Sequence, residues 1–545
     1  MHALATEAGI QALGAGGNAV DAAVASALML GVVDGQNSGL GGGCFILVRT
    51  PSGRVYAIDG RETAPAAATR DLFIRDGKAV PELSQEGPLA VGTPGQLAAL
   101  DLVARRWGRL PLRRALLAAG ERAETGFAVT PHLARRLAGE REALRRFPEA
   151  ARIFGTPEGE PLAEGSILRQ PDLAATHRQL AEQGIRWFYR GDFARQVGSW
   201  MRAHGGILSA EDFRRYRVQT REPVSSQFRD CTLMGFPPPS SGGVHVAQIL
   251  NLVDRLPTAQ GASPEANFLH ALAESMRLAF ADRAHWLGDP EFASVPRGLI
   301  SPAYADTLAR TVDPTKAGDV ASHGQPPGWE NDLFGKHTTH LSAADSEGWW
   351  VGLTATVNTT LGSKVIVPGT GVVLNNEMDD FSAQPGATNF FGLPGAEANA
   401  VAPGKRPLSS MSPTLVLRGN QPILVVGAAG GPTIISQTLL TIARVVGFGE
   451  PVTQAVAAPR LHHQWRPNQL YLEQGWPEAI VTDLERRGHR VQRVRELGAT
   501  QAVAFREGRF EAAADPRAGG VAQVWQEEEP ASISTIKVPR HPRSP

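Results

Sequence analysis

The sequence predicts an α+β fold, with β-strands in sheets and helices packed on their faces. Short apolar runs bounded by turn residues indicate the strands: Cys44–Arg49 and Val55–Asp59 flank a Pro-Ser-Gly-Arg turn, and two later runs flank Arg-Gly-Asn-Gln. Two stretches indicate buried helices. Residues 22–33 carry no charged side chain, and residues 267–289 have apolar residues at helical spacing.

Composition excludes several classes of function. Hydrophobic residues make up 42% of the chain and charged residues 20%, as in folded proteins, and there are 54 basic and 54 acidic residues. This balance provides no basic field for nucleic acid or an anionic membrane. Cys44 and Cys231 form no Cys-x-x-Cys pair, so zinc-ribbon and thioredoxin chemistry are not expected.

The N-terminal region predicts neither a membrane span nor an export signal. The longest apolar run, Ala22–Val33, is too short to cross a bilayer. Asp21 precedes this run where a secretory leader would carry basic residues. The sequence as written therefore predicts a cytoplasmic protein, whereas an additional leader upstream would make it periplasmic or secreted.

A loop rich in Pro, Gly, Ser, Asp and Asn spans residues 313–336 and ends just before Thr338. One interpretation is that Thr338 is an ordinary β-branched residue at the start of a strand. The other is that the chain is cut between His337 and Thr338. An N-terminal Thr combines a nucleophilic hydroxyl with a free α-amine that can act as its base near neutral pH.

Two further features fit a Thr nucleophile. Thr356 lies on the strand after the next predicted hairpin and can return beside Thr338 to donate a hydrogen bond. Gly430 and Gly431 follow a buried strand and precede a helix, so their N–H groups can hold an oxyanion. An ordinary strand-to-helix turn is the alternative reading of the two glycines.

Charged residues predict a receptor for the head group of an α-amino acid. Glu377, Asp380 and Asn358 offer carboxylate and amide oxygens to an ammonium group, although the acidic pair alone would read as a solvated turn. Arg61, directly after a strand, offers a bidentate fork to a carboxylate. A tight turn at Ser409 and Ser410 supplies two hydroxyl donors for the same carboxylate.

Metal and phosphate sites are not expected. His462 and His463 are adjacent and so point apart on regular structure, and no His-Glu-x-x-His motif occurs. The Gly-Leu-Gly-Gly-Gly stretch at 39–43 lacks the Gly-Lys-Ser/Thr of a P-loop, and we interpret it as a turn that allows close packing.

Several stretches in order along the chain resemble the γ-glutamyltranspeptidase family of N-terminal nucleophile hydrolases: GLGGGCF, PPPSSGG, TTHLS, LNNEMDDFS, GKRPLSSMSP and GAAGGP. The resemblance implies a four-layer αββα sandwich, made as one chain and cut into segments 1–337 and 338–545. It also implies roles for the residues singled out above: nucleophile, Thr338; its hydrogen-bond partner, Thr356; oxyanion hole, Gly430 and Gly431; α-carboxylate binding, Arg61, Ser409 and Ser410; α-amino binding, Asn358, Glu377 and Asp380.

The implied reaction is transfer of a γ-glutamyl group from glutathione or a related donor to water, an amino acid or a dipeptide, with no cofactor. Residues 384–400 resemble the lid loop of bacterial members, whose gating aromatic is usually Tyr and here is Phe391. Two alternatives remain open. One is an acylase of the same fold that acts on glutaryl side chains, and the other is a non-catalytic γ-glutamyl-binding relative.

Overall fold

The structure is a computed structural model that describes residues 2–328 and 341–526. Its α-helices are α1 (Ala3–Gly14), α2 (Ala19–Val33), α3 (Pro81–Gln85), α4 (Gln96–Trp107), α5 (Leu112–Thr125), α6 (Pro131–Gly139), α7 (Arg141–Arg146), α8 (Pro148–Phe154), α9 (Pro171–Gln183), α10 (Ile185–Arg190), α11 (Asp192–Ala203), α12 (Ala210–Arg215), α13 (Gly242–Val253), α14 (Pro264–Trp286), α15 (Pro302–Ala309), α16 (Thr433–Ile442), α17 (Val452–Ala457) and α18 (Glu478–Arg486). Its strands are β1 (Gly43–Arg49), β2 (Val55–Gly60), β3 (Ile74–Arg75), β4 (Lys78–Ala79), β5 (Phe127–Ala128), β6 (Ile167–Leu168), β7 (Gln219–Arg221), β8 (Val224–Phe228), β9 (Cys231–Gly235), β10 (Ser342–Ala344), β11 (Trp350–Thr356), β12 (Thr414–Arg418), β13 (Gln421–Ala429), β14 (Leu461–His462), β15 (Leu470–Glu473), β16 (Val491–Val494), β17 (Ala499–Arg506) and β18 (Arg509–Ala514). The predicted mixture of helices and strands is confirmed.

The first of two large sheets has the strand order β10-β11-β1-β2-β7 and is antiparallel throughout. Both hairpins predicted here are present: β1 pairs with β2 across the Pro-Ser-Gly-Arg turn, and β10 pairs with β11. The central strand β1 also pairs with β11, which places Gly43 opposite Thr356. Strands from before and after the predicted cut therefore form one sheet.

The second large sheet has the order β18-β17-β13-β12-β9-β8, and its strands are also antiparallel. β12 and β13 are the pair predicted across Arg-Gly-Asn-Gln. β8 and β9 come from the first part of the chain, and the other four strands come from the part after residue 338. This sheet too is shared between the two predicted segments.

Side chains alternate between two cores, as a strand period of two requires. On β1, Phe45 and Leu47 pack in a cluster with Leu415 and Val425 from the second sheet. Their neighbours Ile46 and Val48 belong to a different cluster, which includes the buried helix α2. In the second sheet, Val416 of β12 packs in a cluster with residues of α13, α14 and α16. Each large sheet thus has helices against one face.

Local sequence explains the two predicted buried helices. α2 begins at an Asn18–Asp21 capping box, in which each side chain accepts a backbone N–H of the other, and it has no charged residue beyond Asp21. α14 is capped by Ser263, the residue before it, whose hydroxyl accepts the N–H of Ala266. No helix among the described residues is long and apolar enough to cross a membrane.

Two regions around the site are irregular. Residues 313–328 form neither helix nor strand, as the loop composition predicts, and the loop's end, with Thr338, lies outside the described residues. The Leu-Asn-Asn-Glu-Met-Asp-Asp stretch forms a single bridge at Leu374 and then a short 3₁₀-helix, Glu377–Asp380. Two consecutive asparagine side chains hold this stretch by bonding backbone groups: Asn375 bonds Gly41 and Gly92, and Asn376 bonds Gln85.

Candidate functional site

One cavity is lined by all the predicted site residues that the structure describes: Arg61, Thr356, Asn358, Glu377, Asp380, Phe391, Ser409, Ser410, Gly430 and Gly431. These residues come from six separate parts of the chain. Thr338 lies outside the described residues, so its position is not part of this geometry. The cavity therefore unites the predicted receptor, the predicted oxyanion hole and the predicted lid.

Arg61 is at the centre of the charged part of the cavity. It follows β2 directly, and its side chain is almost completely buried. Its Nη1 lies 2.5 Å from an oxygen of Glu377, and its Nη2 lies 2.6 Å from an oxygen of Asp380. The guanidinium thus contacts two carboxylates that the sequence assigned to the opposite end of the substrate. The two ends of the predicted receptor form a single network.

A third carboxylate in this network was missed from the sequence. Glu62 is fully buried, and its carboxylate lies 3.6 Å from Nη1 of Arg61. The predicted close-packing turn makes room for it, because a methyl group added at Gly43 would overlap the Glu62 carboxylate. The only sequence signal was its position next to Arg61, which does not reveal burial.

The arrangement contains more carboxyl groups than cationic groups. Arg61 faces the three carboxylates of Glu62, Glu377 and Asp380. Burial and the neighbouring carboxylates raise the pKa of Glu62 to about 8, although Arg61 opposes the shift. Burial likewise holds the pKa of Glu377 well above its usual range. A cationic ligand group would relieve this repulsion, so the site favours an ammonium.

Thr356 and Asn358 close one side of the receptor. Thr356 ends β11, and its Oγ1 accepts the N–H of Asn358 at 2.7 Å. Asn358 has a φ of +78°, a left-handed conformation that Asn tolerates better than most residues. Its side-chain amide nitrogen donates to the carbonyl of Asn376, which leaves its amide oxygen as an acceptor. This orientation agrees with the predicted role beside an ammonium.

Ser409 and Ser410 lie on the turn before β12, where the Pro-Pro-Pro-Ser-Ser-Gly-Gly loop packs against them. Ser240 of that loop forms a bridge with Ser409, and the Ser241 hydroxyl donates to the carbonyl of Ser409 at 2.8 Å. The hydroxyl of Ser410 accepts from Nη2 of Arg283 at 3.1 Å. Arg283 was also missed from the sequence, because α14 is mostly apolar and nothing marks which neighbour a single arginine contacts.

Gly430 and Gly431 connect β13 to α16, as predicted. Their φ values of +140° and +60° lie in the region that favours glycine. A Cβ at Gly431 would lie 2.5 Å from Cδ1 of Phe391, so a larger residue would displace the aromatic ring. The turn is therefore built for close approach of another group to its backbone.

The predicted lid segment, residues 384–400, is hydrogen-bonded to residues of the predicted receptor. The side chain of Asn389 donates to Asp380 at 3.2 Å, and the N–H of Phe390 donates to Asp379 at 2.9 Å. Burial raises the pKa of Asp379 to about 6. Gln464 donates to the carbonyl of Phe391 at 3.2 Å. The lid is thus tied to the acidic 3₁₀-helix that also holds Arg61.

Among the described residues, one group has the side chains and spacing to hold a metal: His270, Glu274 and His489, whose potential ligand atoms lie within 4.8 Å of one another. Arg277 already pairs with Glu274 at 3.0 Å, and the two imidazoles are hydrogen-bonded to each other at 2.8 Å. A cation at this distance opposes a divalent ion. The group is a polar contact between α14 and the region after α18.

The predicted structural role of the histidine pair agrees with its contacts. His462 and His463 are both buried. His462 is hydrogen-bonded to Ser436 and Gln464, and His463 to Trp465 and Asn468. Both ring nitrogens of each histidine thus have hydrogen-bond partners within the protein.

Comparison with known proteins identifies the family. Residues 5–525 match the family model described as Gamma-glutamyltranspeptidase. The chain belongs to the γ-glutamyltranspeptidase family. It is 40% identical over 520 residues to Glutathione hydrolase proenzyme from Escherichia coli (strain K12), covering 95% of this chain and 89% of that protein.

Two other similarities are to proteins that are named as acylases. The chain is 36% identical to Acylase ACY 1 proenzyme from Pseudomonas sp. (strain V22), covering 95% of this chain and 91% of that protein. It superposes on the crystal structure of cephalosporin acylase from Bacillus halodurans with a TM-score of 0.85 and 29% identity, covering 96% and 95% of the two chains. Family membership alone therefore does not distinguish a glutathione hydrolase from an acylase.

Proposed function

We propose that this γ-glutamyltranspeptidase-family protein cleaves γ-glutamyl bonds through an acyl-enzyme on Thr338, after cutting its own chain between His337 and Thr338. The observation that carries the choice of substrate is the excess of carboxylates around Arg61. A γ-glutamyl donor brings an α-ammonium to these carboxylates, whereas a glutaryl donor does not. The 40% identity to a glutathione hydrolase supports the same choice.

The reaction begins with attack of the Thr338 hydroxyl on the γ-carbonyl, as its proton passes to the free α-amine. The N–H groups of Gly430 and Gly431 stabilise the negative oxygen of the tetrahedral intermediate. The Thr356 oxygen accepts from the N–H of Asn358, and its hydroxyl hydrogen is available to be donated to Thr338. The leaving amine takes the proton, and for glutathione it departs as cysteinylglycine.

The second half-reaction releases the γ-glutamyl group from the Thr338 ester. Water yields glutamate, and the amine of an amino acid or dipeptide yields a new γ-glutamyl compound. In both cases the α-amine of Thr338 accepts a proton from the attacking molecule, and the proton returns to the Thr338 oxygen as the ester bond breaks. The protein residues named here complete the cycle without a cofactor.

Maturation yields segments 1–337 and 338–545, which stay together as a four-layer αββα sandwich. Two observations support this arrangement: both large sheets contain strands from each segment, and each sheet has helices against one face. The cluster that contains Phe45 and Leu415 lies between the sheets and supplies the contact of the two inner layers.

An acylase acting on glutaryl side chains is the second candidate, favoured by the 36% identity to an acylase and by the superposition on cephalosporin acylase. Glutaryl keeps the carboxylate of a γ-glutamyl group and lacks the ammonium. Under this hypothesis the substrate would bring no cation to the three carboxylates, which would share only the charge of Arg61.

The deciding experiment compares three 4-nitroanilides with the purified protein. The γ-glutamyl compound carries both charged groups, the glutaryl compound only the carboxylate, and the 4-aminobutyryl compound only the ammonium. We expect the γ-glutamyl anilide to have the highest kcat/KM of the three. Turnover of glutaryl anilide at an equal or higher kcat/KM would refute the proposed function in favour of the acylase. An uncut chain that turns over none of the three would favour the non-catalytic relative.

A further inference from the structure

Arg283 is a buried cation behind the serine turn. It lies on α14 and is 6% exposed. Its Nη2 donates to Ser410 and its Nε donates to Ser241, both at 3.1 Å. Ser410 lines the cavity, whereas Arg283 does not. No acidic side chain in the described parts of the chain forms an ion pair with Arg283. The carboxylate of Asp380 acts on it only through its charge, which opposes the lowering of the Arg283 pKa by burial.

The two arginines near the head-group receptor thus differ in charge balance. Arg61 is in direct contact with Glu377 and Asp380, so its positive charge is compensated within the protein. Arg283 bonds neutral hydroxyls, and burial lowers its pKa to about 10. A buried guanidinium bonded to neutral partners is costly unless an anion approaches. The cavity beside Ser410 is where an anionic ligand group can approach.

The direction of the hydrogen bonds gives Arg283 a second effect. A guanidinium only donates, so the Ser410 oxygen must act as the acceptor of this bond. The hydroxyl hydrogen of Ser410 is then directed to another partner. Ser241 accepts from Arg283 in the same way and donates its own hydrogen to the carbonyl of Ser409. Arg283 therefore orients the Ser410 hydroxyl as a donor and anchors the turn that carries both serines.

We infer that Arg283 is a positioning residue for the α-carboxylate of the donor: it makes Ser410 a hydrogen-bond donor and supplies the positive field that Arg61, paired with two acids, does not. This inference rests on the proposed function, because it assumes an acyl group that carries a carboxylate. Arg283 acts through Ser410 and through its field, and does not touch the substrate.

The test is Arg283→Met, which keeps much of the side-chain volume and removes the charge and both donors. Activity is measured with γ-glutamyl anilide and with 4-aminobutyryl anilide, which lacks the carboxylate. Loss of a charge-assisted bond predicts a fall of about tenfold or more in kcat/KM for γ-glutamyl anilide, mainly through KM. For 4-aminobutyryl anilide we expect a change of less than about twofold, because no carboxylate is present to lose the bond.

Two further variants separate positioning from folding. Arg283→Lys keeps the charge but has no fork to bond both serines, so it should fall between wild type and Arg283→Met for γ-glutamyl anilide. In a Ser410→Ala background, Arg283→Met should lower kcat/KM for γ-glutamyl anilide less than it does alone, because Arg283 acts on the substrate through the Ser410 hydroxyl. Arg487→Met removes another buried arginine, which pairs with Asp483 at the end of α18 and does not line the cavity, and so reports the effect on stability of losing a buried arginine away from the site.

The outcomes are distinguishable from failure of the proposed function. If wild type turns over γ-glutamyl anilide and both Arg283 variants lose activity equally toward the two anilides, Arg283 is merely structural and the inference is wrong. If Arg283→Met is not cut, Arg283→Lys carries the same comparison. If wild type itself prefers glutaryl anilide, the proposed function fails. The role of Arg283 toward a substrate carboxylate is then tested by the same comparison of kcat/KM between wild type and variant, with glutaryl anilide as the substrate that carries the carboxylate.

Discussion

Glu62→Gln tests the charge balance around Arg61 more sharply than removal of any other group. Glutamine has almost the same shape as a protonated glutamic acid and cannot ionise. Glu62 is fully buried beside Arg61, and its pKa is raised to about 8. The variant should therefore resemble wild type when Glu62 holds its proton and differ when Glu62 is ionised.

The expected effect on stability follows from the pKa shift. Because the folded-state pKa of about 8 exceeds the ordinary value of 4.5, the contribution of Glu62 to stability is fully present below about pH 4.5 and is lost as pH rises to about 8. With roughly 1.4 kcal/mol for each pKa unit, the loss is on the order of 3 kcal/mol at pH 7 and somewhat larger above pH 8. Glutamine has no such loss.

The assay is thermal unfolding of wild type and Glu62→Gln between about pH 5 and about pH 9. The difference in unfolding temperature Tm, variant minus wild type, should increase with pH across this window and then level off. A difference that stays constant or decreases with pH would refute the raised pKa, and with it the view that three carboxylates compete for one guanidinium.

Activity provides an independent arm of the same test. Near pH 7, Glu62 of wild type is mostly protonated, so KM for γ-glutamyl anilide should change by less than about twofold in Glu62→Gln. Above pH 8, ionised Glu62 adds attraction for the substrate ammonium, and the variant should then have the higher KM. Glu274→Gln is the matched control: Glu274 is also buried but pairs with Arg277 and not with Arg61, so its substitution should leave the pH dependence of KM unchanged.

The other predictions concern maturation, the receptor and the lid. Thr338→Ala should remain one inactive chain, whereas wild type should show two chains on a denaturing gel, the smaller beginning Thr-Thr-His-Leu. Cutting of Thr338→Ala at the same bond would show that the nucleophile is misassigned. Arg61→Lys keeps the positive charge but has no planar fork to contact both Glu377 and Asp380. It should raise KM for γ-glutamyl anilide by an amount equivalent to about 1.5–3 kcal/mol, and unchanged KM and kcat would contradict the role of Arg61. Phe391 has no hydroxyl to latch the lid, so Phe391→Tyr should raise the ratio of transfer to hydrolysis with glycylglycine as acceptor, and an equal or lower ratio would show that this position is not a latch.

Much of the site could be predicted because its residues stand at places where the chain changes its local structure. Arg61 directly follows a strand, Gly430 and Gly431 lie between a strand and a helix, and Ser410 lies on a turn. Such positions are visible as a change from alternating apolar residues to glycine, proline or polar residues. The hairpins of both large sheets were visible for the same reason.

Glu62 and Arg283 could not be predicted, since their importance depends on burial and on partners distant in the chain. A charged residue after a strand or on a long helix is usually solvated. Glu62 is enclosed only because Gly43 lacks a side chain, and Arg283 meets Ser410 only because α14 packs beside the serine turn. Neither contact can be recognised from the local sequence. The ion pair of Arg61 with Glu377 has the same origin, which explains why the two ends of the receptor were predicted apart.

The two segments on either side of the predicted cut are joined by contacts between residues distant from His337 and Thr338. β1 pairs with β11 along its whole length, from Gly43 opposite Thr356 to Arg49 opposite Trp350, and this pairing joins the two segments. The ion pairs of Arg61 with Glu377 and Asp380 also join them. Every one of these contacts is noncovalent and independent of the peptide bond before Thr338. We therefore expect the proposed cut to leave the sheets and the ion pairs of Arg61 intact, and to add only the free α-amine that the proposed Thr338 nucleophile needs as a base.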